Sequence, residues 1–316
     1  MHTLVSGGAG FIGSNLVDAL VARGDQVTVI DNLSTGRESN LEEALARGAQ
    51  LNVLDIREPA DVMSAFAHAK PEVVFHLAAQ IDVRRSLLEP AWDASVNVQG
   101  TINMLEAARE HATKRFINTS TGGAIYGEAE LLPTPETALP LPEAAYGQSK
   151  HAAEGYCRLY SRLYNLSTVS LRYGNVYGPR QDPLGEAGVV AIFCGRLRDG
   201  AQPTVFGDGT QTRDYVYVAD IVEANLAAAD RGDAGGPINI GTSRQTSVLK
   251  LIEVLAERAG PEVNFEPQFE PARLGEVKRS CLEVTLARSV LGWEPRTDLA
   301  SGLEQTLDAT LSALSR

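Results

Sequence analysis

Gly7-Gly8-Ala9-Gly10-Phe11-Ile12-Gly13 stands between a strand-like segment that follows Met1-His2-Thr3 and a helical pattern in which Leu16-Val17 is echoed by Leu20-Val21. Glycines in such a turn let the backbone come close to a ligand. The free N–H groups and the dipole of the helix that follows then favour an anion such as a pyrophosphate. A Gly-rich string alone also marks ordinary turns. Context raises this one: a strand before it, a helix after it, and an acidic residue, Asp31, closing the next strand-like run, Val27-Thr28-Val29-Ile30.

The same alternation continues outward from the turn. β-branched runs recur at Val73 to Phe75, Phe116 to Asn118 and Thr168 to Leu171. Helical patterns lie between them, as at Met104-Leu105 with Ala107-Ala108. This rhythm implies an α/β fold with a Rossmann-type, doubly wound, mostly parallel sheet. After Tyr173, Gly and Pro become frequent, at Gly178-Pro179, Asp182-Pro183, Gly185, Gly188, Gly207 and Gly209, and signal loops. Helical patterns return near Val248 to Arg258 and Leu299 to Leu314. The expected organisation is a dinucleotide domain over residues 1–172, rejoined by a strand-helix-strand segment at about 216–240, and a smaller, interrupted substrate region over 173–215 and 241–316.

Composition sets outer bounds. The 316 residues suit one large domain or two interlocked ones, and a hydrophobic fraction of 44% is ordinary for a globular chain with a sizeable core. A net charge of −12 argues against a nucleic-acid partner, which calls for a basic face. It still allows an anionic small molecule held by a few local Arg residues. No apolar run approaches the ~20 residues that span a bilayer, and no basic segment leads an apolar one near Met1, so neither membrane nor export is expected. Cys157, Cys194 and Cys281 are too scattered for a disulfide framework and read as buried small hydrophobes in a reducing cytoplasm. His2, His68, His76, His111 and His151 lack the spacing of a zinc motif, so no metal is expected.

Asp31 offers a carboxylate that can accept both ribose hydroxyls of NAD and repel the 2′-phosphate of NADP. Arg37, close by, is the residue type that accommodates such a phosphate. Asp31-Asn32 alone would also begin a turn. Asp55-Ile56, at the end of the third strand-like segment, is placed to touch the adenine ring. Leu77-Ala78-Ala79, after the fourth, leaves room for the cofactor or simply packs.

Tyr146-Gly147-Gln148-Ser149-Lys150 carries the chemistry. Tyr and Lys four residues apart share a face if a helix starts here. A free Tyr, with a pKa of about 10, is a poor base at neutral pH. A nearby ammonium favours its phenolate. A partner hydroxyl is expected from Asn118-Thr119-Ser120-Thr121-Gly122-Gly123, whose Ser and Thr would otherwise cap a turn. Arg213 and Arg273 are the best cations for a nucleotide diphosphate, since a guanidinium grips phosphate oxygens in pairs.

Together these stretches resemble the UDP-glucose 4-epimerase branch of the extended short-chain dehydrogenases. The resemblance runs nearly end to end. It takes in His76 to Gln80, Asn97-Val98, Tyr126-Gly127, Arg172 to Arg180, Phe206 to Gly209, Arg213-Asp214-Tyr215 and Asn239 to Thr242. It implies NAD bound by Gly7, Gly10, Phe11, Ile12, Gly13, Asp31, Asn32, Asp55, Ile56, Leu77, Ala78, Ala79, Gln80, Asn97, Tyr146, Lys150 and Tyr173. There is one departure. Aligned on Tyr126, Gly122 falls where the family's catalytic Ser would be, so Thr121 is the expected hydroxyl, with Ser120 in reserve.

For the substrate the resemblance implies Asn175 at the diphosphate, Thr204-Val205-Phe206 at the uracil, Glu276 at the ribose and Val189 in the same pocket, with Thr121 and Tyr146 at the sugar. Ser280 matches a position near the sugar's 2-substituent, where a bulky Tyr goes with exclusion of N-acetyl sugars. The segment after Thr119 lacks the Asp-Glu pair of the similar 4,6-dehydratases and the Glu of the uronate decarboxylases. The implied activity is interconversion of UDP-glucose and UDP-galactose, N-acetyl forms included, through a 4-keto sugar. The alternatives are a UDP-glucuronate 4-epimerase or another nucleotide-sugar oxidoreductase and, in a different class, a non-catalytic NAD-sensing protein. The resemblance also implies a homodimer built from the helix after Asn97 and the helix that carries Tyr146.

Overall fold

The computed structural model describes residues 1–183, 188–272 and 277–312. Seven strands form one parallel sheet in the order Gly236–Ile240, Ser167–Tyr173, Arg115–Thr121, Val73–His76, His2–Ser6, Gln26–Asp31 and Gln50–Val53. Inner strands carry apolar runs, such as Val73-Val74-Phe75, because both faces of the sheet are covered. On one face Val5, Val29, Phe75 and Ile117 meet Leu16, Val17 and Leu20 of the helix Phe11–Arg23. On the other, Leu4, Ile30, Val74 and Phe116 meet Met104, Leu105 and Ala108 of the helix Gly100–Glu110, and Cys157 and Tyr160 of the helix Ala145–Tyr164. Each such buried side chain is worth about 1.5–3 kcal/mol relative to exposure.

The winding reverses between His2–Ser6 and Val73–His76, which lie side by side. At such a reversal the loops leaving the carboxyl ends of the strands part, and a cleft opens. Ser6 is in register with both Ile30 and His76. The Gly-rich turn, the Asp31 turn and the Leu77–Ala79 turn therefore share one edge of the sheet.

Two expectations need correction. The third strand, at the exposed edge of the sheet, stops at Val53, so Asp55 lies two residues beyond it, where Glu58 N donates to Asp55 O at 3.0 Å and closes a turn. The returning segment also joins differently. Tyr215–Tyr217 pairs with Asn175–Tyr177 in a separate two-stranded ribbon, and only Gly236–Ile240 enters the large sheet, beside Ser167–Tyr173. The helix Val218–Asp230 links the two and packs along Phe11–Arg23.

A second core gathers Phe193, Leu251, Leu255 and Leu303 from the helices Val189–Arg198, Val248–Ala259 and Leu299–Ser312, with Tyr177 and Tyr217 from the two-stranded ribbon. Among the described residues no helix is long and apolar enough to cross a membrane, and no His, Cys, Asp and Glu cluster could hold a metal ion.

Candidate active site

A cavity of about 1870 Å³ follows the carboxyl edge of the sheet. Single ligand sites run to about 300–1,000 Å³, so this one has room for more than one small molecule. Its wall brings together Gly7, Gly10, Phe11, Ile12, Gly13, Asp31, Asn32, Asp55, Ile56, Leu77, Ala78, Ala79 and Gln80 with Thr121, Tyr146, Lys150 and Tyr173. Asn175 and Val189 also lie on it.

The glycines are needed where they stand. Gly7 has φ +71°, and an added Cβ would lie 2.6 Å from the Ala78 nitrogen. A Cβ on Gly13 would lie 2.1 Å from the Gly7 carbonyl oxygen. The helix Phe11–Arg23 starts from Gly10 with no side-chain cap, so its first N–H groups are open to a ligand. This cradle fits the pyrophosphate of a dinucleotide.

Asp31 does more than face the cleft. Its carboxylate accepts from Ala9 N at 2.9 Å and Leu33 N at 2.8 Å, pinning the Gly-rich turn to its own turn. Burial raises its pKa while these two backbone bonds lower it. Asn32 Nδ2 donates to Asp55 at 3.0 Å, and Arg57 also donates to Asp55, holding that carboxyl down at about 2. Arg37 pairs with Asp182 at 2.5 Å.

Tyr146 and Lys150 lie one turn apart at the start of the helix Ala145–Tyr164. No side chain of the local chain caps that helix. Ser86 does so from elsewhere, its Oγ accepting from Tyr146 N at 3.1 Å. Burial raises the Tyr146 hydroxyl to about 12, and the Thr121 side chain acts in the opposite direction, lowering it. Burial draws Lys150 down to about 8. Ser120 is committed elsewhere: its Oγ donates to Glu154 at 2.6 Å, and Arg172 holds Glu154 through two bonds of 2.8 and 2.6 Å. Of the two hydroxyls weighed from sequence, Thr121 is the one that meets Tyr146.

Other expected residues are not brought to the cavity wall. Asn97 is buried behind it; its Oδ1 accepts from Gln80 N at 2.8 Å and its Nδ2 donates to Gln80 O at 3.0 Å. Thr204, Val205 and Phe206 form a short strand paired with Gln268–Glu270. Arg213 lies in the short strand Thr212–Arg213, and Ser280 N donates to Thr212 O at 3.1 Å. None of these five lines the cavity. Arg273 and Glu276 lie outside the described residues. Ser86, Asp93, Glu154 and the ion-pairing role of Arg172 were not read from sequence.

The profile of the NAD dependent epimerase/dehydratase family matches residues 3–241. The chain belongs to this family. It is 45% identical over 313 residues to a UDP-glucose 4-epimerase of Mycolicibacterium smegmatis, covering 98% of each chain. Among solved structures it is similar to a UDP-glucose 4-epimerase of Thermotoga maritima with UDP-glucose, at 47% identity and TM-score 0.95, covering 99% of each chain. It is also similar to a Thermus thermophilus UDP-glucose 4-epimerase in complex with NAD, at 41% identity and TM-score 0.91, covering 98% of this chain and 99% of that one. In this member of the family the Gly-rich cradle and Asp31 are the groups that would hold NAD, and Tyr146, Lys150 and Thr121 stand on the same wall.

Proposed function

We infer that this protein is an NAD-dependent 4-epimerase of UDP-hexoses that interconverts UDP-glucose and UDP-galactose, and their N-acetyl forms, through a 4-keto sugar. The observation that carries the reading is the cavity itself, which begins at the Gly-rich turn and gathers Tyr146, Lys150 and Thr121 on one wall. Residues 1–172, with about 216–240, are proposed to hold the cofactor, and 173–215 with 241–316 the nucleotide sugar. The assembly is proposed to be a homodimer. A cytoplasmic setting is supported by three cysteines that are all free and buried.

In this mechanism Tyr146 Oη takes the proton of the sugar's 4-hydroxyl, with Thr121 Oγ1 steadying the reacting oxygen. When bound, NAD⁺ would supply the acceptor for the carbon-4 hydride and, once reduced, its donor to the opposite face of the keto sugar. Tyr146 would ionise against Lys150, which is an ammonium below about pH 8. Asn175 and Val189 hold the nucleotide end while the keto sugar turns about its bond to the diphosphate. Tyr146 then returns the proton to the inverted alkoxide.

A coupled assay with UDP-galactose and UDP-N-acetylgalactosamine tests the reading. Turnover that leaves no net reduced cofactor is expected. Net oxidation of the sugar, turnover of UDP-glucuronate alone, or no turnover of any nucleotide sugar would overturn it.

A further inference from the structure

Two carboxylates face Lys150 from the interior. Glu154, one turn further along the same helix, is already neutralised by the two-bond grip of Arg172. Asp93, on the short helix Pro90–Ala94, is fully buried and forms no ion pair among the described residues. Its oxygens take three neutral donors: Ser149 Oγ at 2.6 Å, Gln80 Nε2 at 2.8 Å and Asn97 Nδ2 at 3.2 Å. Gln80 belongs to the cofactor-facing wall, and Ser149 sits between Tyr146 and Lys150 on the catalytic turn. One carboxylate thus joins the cofactor wall to the turn that carries the proton-transfer pair. A buried charge without a counter-charge is costly, and so is a buried ammonium; placed near each other, each lowers the other's cost.

We propose that Asp93 is a positioning residue of the epimerase reaction, locking Ser149 and the catalytic turn against the cofactor wall and serving as the buried negative charge that keeps Lys150 an ammonium. The proposal rests on the reading of Tyr146 and Lys150 as the proton-transfer pair. The remaining groups that face Lys150 leave this task to Asp93. His76, on the neighbouring strand, is pressed down to about 3 by burial and is neutral. Cys157, on the same helix, is pushed up to about 12 and is an uncharged thiol. Against the burial that draws Lys150 down, Cys157, Asp93 and Glu154 all act to raise it; with the Cys157 thiol uncharged and Glu154 gripped by Arg172, the carboxylate left for the task is Asp93. Asp93 also opposes ionisation of Tyr146, which otherwise faces Thr121. Removing its charge therefore lowers the pKa of both members of the pair.

The test is the pH dependence of kcat for UDP-galactose epimerisation by the holoenzyme. Asp93→Asn keeps the shape and removes the charge. Its turnover window should move to lower pH, with the alkaline limb falling by roughly one unit, the lower end of the effect of a nearby charge. Well above that limb it should be about tenfold slower than wild type, since one pKa unit is a factor of ten. Ser149→Ala, which breaks the lock and leaves the charge, should lower kcat with both limbs in place. Should Asp93→Asn not yield folded holoenzyme, Asp93→Ser, which keeps a hydroxyl for Ser149, gives the same reading. An equal loss at every pH, as a merely structural residue would give, or an unchanged profile, overturns the proposal. Tyr146→Phe keeps the two readings apart. If it turns over like wild type, the base assignment itself fails; if it is inactive while the Asp93→Asn limbs stay put, only the role of Asp93 fails.

Discussion

Leu282 occupies the space that a side chain at Gly122 would need: a Cβ there would stand 2.5 Å from Leu282 Cδ1 and 2.6 Å from Cδ2. Leu282 cannot easily step aside. Its N–H donates to Asp214 Oδ2 at 3.1 Å, and its side chain is buried with Ile125 and Tyr126. Position 122 is therefore filled by packing, and the catalytic hydroxyl proposed here is that of Thr121, one residue earlier. Thr121→Val, which keeps the shape, should lower kcat by ~10²-fold, within the range of a positioned proton-transfer partner, with melting temperature and NAD content near wild type. Adding Gly122→Ser should not restore turnover and should cost about 1–3 kcal/mol of stability through overpacking. Steady-state kinetics and thermal melting of the two variants check both halves. Recovery of activity by Gly122→Ser would refute the argument.

Asp31 has two duties, so its substitution should show two losses. Asp31→Ala removes the acceptor for Ala9 N and Leu33 N as well as the proposed reader of the ribose. Each orphaned buried donor costs about 1–3 kcal/mol. The variant should melt at lower temperature, bind NAD more weakly and discriminate less against NADP. Titration of apoprotein with the two cofactors measures this. A wild type that prefers NADP⁺ would transfer the role to Arg37, which here is engaged by Asp182.

Much of the site was legible because its signals are local. The Gly-rich turn, Asp31 and the Tyr146–Lys150 pair each declare themselves through spacing within a single turn or strand, and the helix stripes bury the residues that periodicity assigns. The supports were not legible, because their partners are remote in the chain. Ser86 caps the catalytic helix from 60 residues away, and Asp93 reaches Ser149 across 56. No period links such residues; the sheet's winding brings them together. The same limit explains the returning segment. A strand-helix-strand pattern is visible in sequence, but which sheet its first strand joins depends on Asn175–Tyr177, which precedes it by a long excursion through the second core.

The helix Ala145–Tyr164 keeps an apolar outer stripe. Tyr156 and Leu163 are exposed and Ala152 and Leu159 half-buried, at spacings that place all four on one face. Paired with the helix Gly100–Glu110, which packs beside it, this stripe would build the four-helix seam of a symmetric dimer. Light scattering at micromolar concentration should give twice the chain mass. The double variant Leu159→Asp, Leu163→Asp should give the single mass while keeping its fold, because neither side chain belongs to the fully buried core. A wild-type monomer would overturn the dimer.

Ser280, beside the strand Thr212–Arg213, is assigned the choice of sugar in the proposed function. It is buried against Thr212, the residue before Arg213, and is followed by Cys281 and the anchored Leu282. A serine there is small. A pocket with spare volume costs a smaller ligand only about 1–3 kcal/mol per missing group, whereas overlap with a bulky side chain rejects the larger ligand outright. The wild type should therefore turn over both UDP-galactose and UDP-N-acetylgalactosamine. Ser280→Tyr should suppress turnover of the N-acetyl sugar and spare the plain one, with the loss appearing in kcat/KM. Melting curves run on the same preparation separate this from simple unfolding, since a ring that cannot be housed would lower both activities and the melting temperature together. A wild type that ignores N-acetyl sugars, or a folded Ser280→Tyr that loses both activities equally, would remove Ser280 from the gate.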